Sequence, residues 1–444
     1  MKIISLILLF TFCVLTGFSQ EWTLEQCINY AIEHNLDAQT MKNRIKESKI
    51  KLCNSRNNRL PNLNAGLEPS IYFGRGPGRT GSYQDNTQLN TSFNVVAILP
   101  IFSGFSIKHD IQGREFELQA SLQDLEEVRE NISMNVLALY MQVIMCKELL
   151  QVAKDQVQLS QTLVNQKKWL VDAGRILESE LFDSQAVLSN DKFNQIQSEN
   201  ELNQSLLNLS QALNLEKISE FDITHPILLD TGLPMPNKNV ENADSIYKLA
   251  INRRPAINAE KNRLKSMEEN LAIAKAKRYP NINLSGGYAN SYFYSFIKGY
   301  NNSLFWEQLK NNGNEFLSVN ISIPIFNRLV TRNQIRSANI SIENQKIVIE
   351  QTQQDLRKQI DQACNSFYSS WRKYEAAQQS LHAANEAFKN QQDRMTLSKT
   401  TIYDYIDAKN RLRTAKSNLL QAKFEYIFSV KILEFYKWGH LACD

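Results

Sequence analysis

The stretch "NEFLSVNISIPIF", Asn314 to Phe326, alternates apolar and small polar residues. Leu317, Val319, Ile321 and Ile323 are apolar, and Ser318, Asn320 and Ser322 between them are polar. Successive side chains of a strand leave on opposite sides, so a period of two predicts a strand with one oily face and one wet face. "TQLNTSFNVVAILPIF", Thr87 to Phe102, repeats the pattern, with Leu89, Phe93 and Val95 against Asn90, Ser92 and Asn94. Both strands sit in a chain that otherwise reads as long helix.

The echo is part of a larger duplication. "YAIEHNLDAQTMKNRIKESKIKL" from Tyr30 pairs with "LAINRRPAINAEKNRLKSMEENL" from Leu249. "NRLPNLNAG" pairs with "KRYPNINLSG", "ILPIFSG" with "SIPIFNR", and "LFDSQAVL" with "YDYIDAKNRL". The offsets agree: Pro61 to Pro280 is 219, Pro100 to Pro324 is 224, and Ala186 to Ala408 is 222. Between the halves, 225–244 carries prolines 226, 234 and 236 and reads as a linker. The expected repeats are 20–224 and 245–436, followed by a short C-terminal segment, 437–444.

Each repeat has one order. A helix (Leu24–Arg59; Ser245–Arg278) stops ahead of proline. Two strands follow (62–73 and 88–102; 281–296 and 316–326). A helical hairpin closes the unit (105–215; 328–436), its first arm covering Ile107–Leu170 or Val330–Thr396. More than sixty residues of helix span roughly 95 Å at 1.5 Å each. Apolar positions at three- and four-residue spacing, as in "ISMNVLALYMQVIMCKELLQVAKDQVQL", require neighbours along that whole length.

The ends and composition fix the compartment. "MKIISLILLFTFCVLTGFSQ" has Lys2, an apolar run from Ile3 to Leu15, and Gly17-Phe18-Ser19 as a cleavage pattern, so residues 1–19 read as a signal peptide. No other apolar stretch is expected to cross a bilayer as a helix. The five cysteines of the mature chain (27, 53, 146, 364, 443) form no C-x-x-C and no disulfide framework. A net charge of +4 with interspersed signs excludes nucleic acid as partner.

The strands are uncharged over long runs: 87–107, 279–297 and 316–327 contain no Asp, Glu, Lys or Arg. Tyr72, Phe102, Tyr288, Tyr294, Phe296 and Trp306 gather near their ends. A charge facing hydrocarbon costs about 2–4 kcal/mol at mid-depth, and aromatic residues mark membrane interfaces. The four strands therefore read as transmembrane β-strands facing outer-membrane lipid. Sheet edges are not tolerated in lipid, and the smallest barrels have about eight strands. One chain cannot close its own barrel; two copies give eight strands and three give twelve.

These pieces together resemble the TolC-like outer-membrane efflux proteins over nearly the whole mature length. "WTLEQCINYAIEHN" resembles the family's opening helix. "RLPNL" and "RYPNI" are similar to its helix-to-strand joints, and "LPIFSG" and "IPIFN" to its strand-to-helix joints. "YFGRGPG" resembles a loop of Bacteroidetes-type members. The resemblance implies a mostly α-helical fold with transmembrane β. In it a homotrimer shares a 12-stranded barrel, and long coiled-coil helices form a periplasmic α-barrel. It implies an exit duct that works with a periplasmic membrane-fusion adaptor and an inner-membrane pump of RND or ABC type, in efflux or type I secretion.

The family's duct narrows at the helical turns. In "MTLSKTTIYDYIDAKNRL" the family pattern places alanine at Ala408 and aspartates at Asp404 and Asp407, so these two residues are implied to line the aperture. Residues three apart share a helix face, and stacked carboxylate rings favour cations. The glycine of the pattern is replaced by Ser398, and Met395 and Thr400 stand where some relatives carry a tyrosine and an arginine. The first turn, "DAGRILESELFDSQA", keeps Gly174 but is two residues longer to Ala186, so the acidic ring is not carried over to Asp183. The turns, Gly174, Arg175, Ile176 and Leu177 with Ser398, Lys399, Thr400 and Thr401, are implied to meet the adaptor.

No enzyme motif competes. The five histidines (34, 109, 225, 382, 440) are dispersed, with no metal-ligand spacing. "GRGPGRTG", Gly74 to Gly81, lacks the G-K-[ST] ending of a phosphate loop. Neither a cofactor nor a catalytic residue is expected.

Overall fold

The computed structural model describes residues 21–77, 82–215, 221–224, 242–397 and 399–439. The expected signal peptide, most of the linker and the far C-terminus lie outside these. The chain divides into two compact units. Unit 1 gathers Met1–Lys42, Gln123–Asn258 and Gln351–Asp444; unit 2 gathers Asn43–Leu122 and Ala259–Glu350.

In chain order the elements are α1 (Leu24–His34), α2 (Leu36–Asn57), β1 (Asn62–Tyr72), β2 (Arg75–Pro77), β3 (Tyr83–Asp85), β4 (Gln88–Ser103), α3 (Ser106–Asp172) and α4 (Glu178–Ala212). The second repeat gives α5 (Ala243–Ala250), α6 (Pro255–Ala276), β5 (Asn281–Ser295), α7 (Phe305–Asn311), β6 (Asn314–Ser322), α8 (Val330–Thr396) and α9 (Ile402–Trp438). Both α3 and α8 have 67 residues.

Three features depart from the sequence reading. The opening helix of each repeat is broken. Asn35 is extended (ψ 133°), and its Oδ1 accepts from the N–H groups of Asp37 (2.8 Å) and Ala38 (3.2 Å), capping α2. In the second repeat Pro255 opens α6 after Arg254, 219 positions on from Asn35. The strand expected to reach Phe326 ends at Ser322. Pro324 has no N–H for a ladder, so Ile323 lies outside the strand. Finally, α7 and the β2–β3 hairpin carry no periodicity long enough to announce them.

Unit 1 contains two cores that match position by position. Cys27, Ala31 and Ala38 pack with Ile132 and Val136 in one; Ile246, Ala250 and Ile257 pack with Leu356 and Ile360 in the other. The offsets are again 219 and 224. α3 contains a window apolar enough to cross a membrane by composition, which the sequence reading had not anticipated. Val136, Leu137, Tyr140, Val143 and Ile144 from that region are at most 1% exposed and form the first core instead. At the second helix break Arg254 bonds Glu130 (2.7 Å) and lies over the rings of Phe435 (4.2 Å) and Tyr436 (4.7 Å).

Unit 2 contains a four-stranded antiparallel sheet in the order β1-β4-β5-β6 and the two-stranded β2–β3 sheet. A bulge between Pro100 and Phe102 lets β4 carry a proline inside the sheet. At both strand-to-helix joints the chain turns through two left-handed residues. These are Gly104 and Phe105 (φ 60° and 68°) in one repeat, and Arg328 and Leu329 (φ 55° and 65°) in the other. Glycine is required at the first: a Cβ on Gly104 would sit 2.5 Å from the Ala276 carbonyl oxygen.

Candidate functional site

The register sorts the strand residues by face, because directly opposed residues of an antiparallel pair share a side. Ile71 pairs with Leu89 and Leu89 with Tyr294; Ala65 pairs with Val95 and Val95 with Tyr288; Leu284 pairs with Val319 and Ile282 with Ile321. Leu89, Phe93, Val95, Leu317, Val319 and Ile321 therefore lie on one face. Asn90, Ser92, Asn94, Ser318, Asn320 and Ser322 lie on the other, which also carries Glu68. Ser285 and Ser318 share a hydrogen bond of 2.7 Å on that polar face.

The apolar face is bare. Leu63, Leu67, Leu317, Val319 and Ile321 are 59–77% exposed. Its sole charged strand residue among those described is Glu315, at the strand end farthest from the helix joints. In water such a face is an aggregation hazard; against hydrocarbon it is the favourable state. Both outer edges of the sheet, on β1 and β6, lack a strand partner among the described residues.

The hairpin turns belong to unit 1. Gly174 adopts φ 66°, donates to the Val171 carbonyl (2.8 Å), and is followed by Arg175, which donates to Leu170 (2.9 Å). This pair of bonds ends α3 in a left-handed cap. Lys399 makes the equivalent bond to Arg394 (2.8 Å) at the end of α8; Ser398 lies outside the described residues. Around these turns Trp169, Leu177, Leu397 and Tyr403 are all more than 60% exposed, with Arg175 over the Trp169 ring at 5.9 Å. Thr400 bonds Gln391 (2.8 Å), and Ile176 is half-buried.

Asp404 and Asp407 are exposed on the first turns of α9. Thr401 caps the helix by accepting from the Asp404 N–H (3.2 Å) and donating to its carboxylate (2.7 Å). Asp407 pairs with Arg411 at 2.8 Å. The sequence reading passed over Arg411, although its i,i+4 spacing from Asp407 was visible. The other side of the same helix is packed: Tyr405, Ala408 and Leu412 join Leu163 and Phe388 in a third cluster.

Beside that cluster Lys409 is bonded to Asp191 of α4 and Ser160 of α3, all three at most 4% exposed. Burial holds the Lys409 ammonium below the usual lysine range despite the attraction of Asp191. This knot ties the two repeats together within unit 1. No sequence signal marks it, since Lys409 and Asp191 stand 218 positions apart.

A sheet with one bare apolar face and one polar face, joined directly to two helices of 67 residues each, has the makeup of an outer-membrane protein with a large helical part. A family model described as outer membrane efflux protein matches the chain twice, over residues 27–215 and 246–433. The chain belongs to the outer membrane efflux protein family, and its place is the outer membrane. It is 21% identical over 306 residues to outer membrane protein TolC of Vibrio cholerae, covering 68% of this chain and 66% of TolC, just short of two thirds. Among solved structures it superposes on CusC with a TM-score of 0.75 at 17% identity, covering 94% and 92% of the two chains. On the outer membrane channel CmeC of Campylobacter jejuni it superposes with 0.75 at 15%, covering 95% and 86%.

Proposed function

We propose that three copies of the chain close their four-stranded sheets into one 12-stranded barrel and form an exit duct for efflux or type I secretion. The apolar face carrying Leu89, Phe93, Val95, Leu317, Val319 and Ile321 meets lipid; the face carrying Asn90, Ser92, Asn94, Ser318, Asn320 and Ser322 lines the lumen. The helical turns contact a periplasmic membrane-fusion adaptor, and an inner-membrane pump of RND or ABC type supplies the energy. Asp404 and Asp407 stand at the periplasmic aperture as exposed carboxylates, with Arg411 offsetting part of their charge.

The observation that carries this reading is the sheet itself, four strands with a bare apolar face and two free edges. Neither lipid nor water accepts open edges beside such a face, and only further copies of the same sheet supply matching ones. Mass photometry of the purified protein and conductance in planar bilayers test it. Three chains per particle and a steady, water-filled conductance are expected. A monomer, or a trimer that never conducts, overturns it.

A further inference from the structure

β5 outruns the strand beside it. It has 15 residues, and β6 pairs with Asn281–Ala289 alone. Residues 290–295 still present backbone groups toward the β6 side. Successive residues of a strand turn N–H and C=O to opposite sides. Phe296 donates to the Thr87 carbonyl on the β4 side (3.0 Å), so residues 291, 293 and 295 face the β6 side.

All three are met by side-chain carboxamides from the segment that joins β5 to β6. Asn312 donates to the Ser291 carbonyl (2.7 Å). Gln308 accepts from the Phe293 N–H (2.9 Å) and donates to its carbonyl (2.8 Å). Asn302 does the same for Ser295 (2.7 and 2.8 Å). Gln308, 9% exposed, also donates to the Ser303 carbonyl (2.9 Å). Three amides thus reproduce the bonds of a strand, and the α7 segment occupies the place in the sheet that a longer β6 would fill.

In a barrel built from copies, the next copy's β1 follows β6. β1 has 11 residues and β6 has nine, and β2 prolongs the β1 arm beyond Gly74. The next copy's arm therefore outruns β6 as β5 does, and the α7 segment is what lies opposite its far end. Both sides present bare aromatic surface there: Tyr72 and Phe73 (55% and 81% exposed) on the arm, Trp306 (78%) on α7.

We propose that the amide-anchored α7 segment is a contact between copies, a strand substitute against which the far end of the next copy's β1–β2 arm seats. The proposal rests on the shared-barrel reading.

The test pairs Phe73→Cys with Trp306→Cys in the full chain, oxidised in outer membranes. Denaturing gels without reductant are expected to show two- and three-chain products that neither single variant nor the unsubstituted protein gives. Gln308→Leu is expected to lower the oligomer surviving warm detergent roughly tenfold, by removing three part-buried hydrogen bonds, without changing helix content. Mass photometry separates the failures. Particles that are not trimeric defeat the shared barrel. Trimeric particles whose double variant stays at single-chain mass, or whose Gln308→Leu oligomer is as resistant as the original, defeat this proposal alone. In that case Trp306 is a headgroup anchor, open to labelling from the lipid phase.

Discussion

At the residue scale, burial without full compensation decides the chemistry of unit 1. Tyr140 is 1% exposed and donates to the Thr224 carbonyl at 2.7 Å, and burial pushes its phenol up to about 12. Cys27, in the same core, is pushed up to about 12 by the same cause. A group whose folded pKa lies above its unfolded one stabilises fully below the unfolded value and loses that contribution as pH rises toward the folded value. The unfolded values are near 9 for the thiol and 10 for the phenol. Thermal stability is therefore expected to fall from about pH 9 and more steeply from about pH 10 toward 12. Tyr140→Phe should cost about 1 kcal/mol at pH 7 through the lost hydrogen bond and flatten the fall above pH 10. Melting curves from pH 7 to 11 check this; an unchanged alkaline slope in the variant would remove Tyr140 as its source.

At the scale of elements, β6 is the sharpest case because every residue of it is exposed in one chain. Burial within the chain does not tell its faces apart, whereas sequence alternation and register do. A lysine at Val319 puts a charge among Leu317, Ile321 and Leu284, at a cost of about 2–4 kcal/mol near mid-bilayer. A lysine at Asn320 stays among Ser318, Ser322 and Asn283. Val319→Lys is expected to abolish heat-resistant oligomer in outer-membrane fractions, and Asn320→Lys to leave it intact. Equal assembly of the two would reverse or void the assignment of faces. These elements were legible because their signals are local: a period of two, prolines at the joints, and offsets of 219 to 224 between halves. The helix breaks were less so. Asn35 reads as one more polar residue on a helix until its side chain is seen capping α2. The α7 segment was hidden for a related reason, because Asn302, Gln308 and Asn312 look like ordinary loop polarity until their backbone partners on β5 are known. The Lys409–Asp191–Ser160 knot was invisible, since helical charges normally read as solvated faces and nothing local says that three helices converge on this one.

For the whole molecule the duplication has a mechanical consequence. Both repeats end in a hairpin turn; the second places Asp404 and Asp407, both exposed, three residues apart on its returning helix, whereas in the first the equally spaced Glu180 and Asp183 differ in that Glu180 is bound to Lys167 at 2.6 Å. In the proposed trimer Asp404 and Asp407 would become six carboxylates at the aperture, while Lys409, on the packed side of the same helix, is held by α3 and α4. Removing one member of such a buried pair costs about 3–5 kcal/mol, whereas an exposed pair such as Asp407–Arg411 is worth at most about 1 kcal/mol. The exposed ionic contacts of this helix are therefore the cheap ones to rearrange, and those that fix it to the first repeat are the expensive ones. In the proposed duct, movement of the turn and the first residues of α9 would need no disruption of the core behind them. Asp404→Asn with Asp407→Asn removes the charge and keeps the shape and the Thr401 cap acceptor. It is expected to weaken block by millimolar divalent cations and to lower the preference for cations over anions several-fold in planar bilayers. Oligomer stability should change little, because both side chains are exposed. Unaltered selectivity and block in a trimer that still conducts would place the narrowest charged ring elsewhere along the duct.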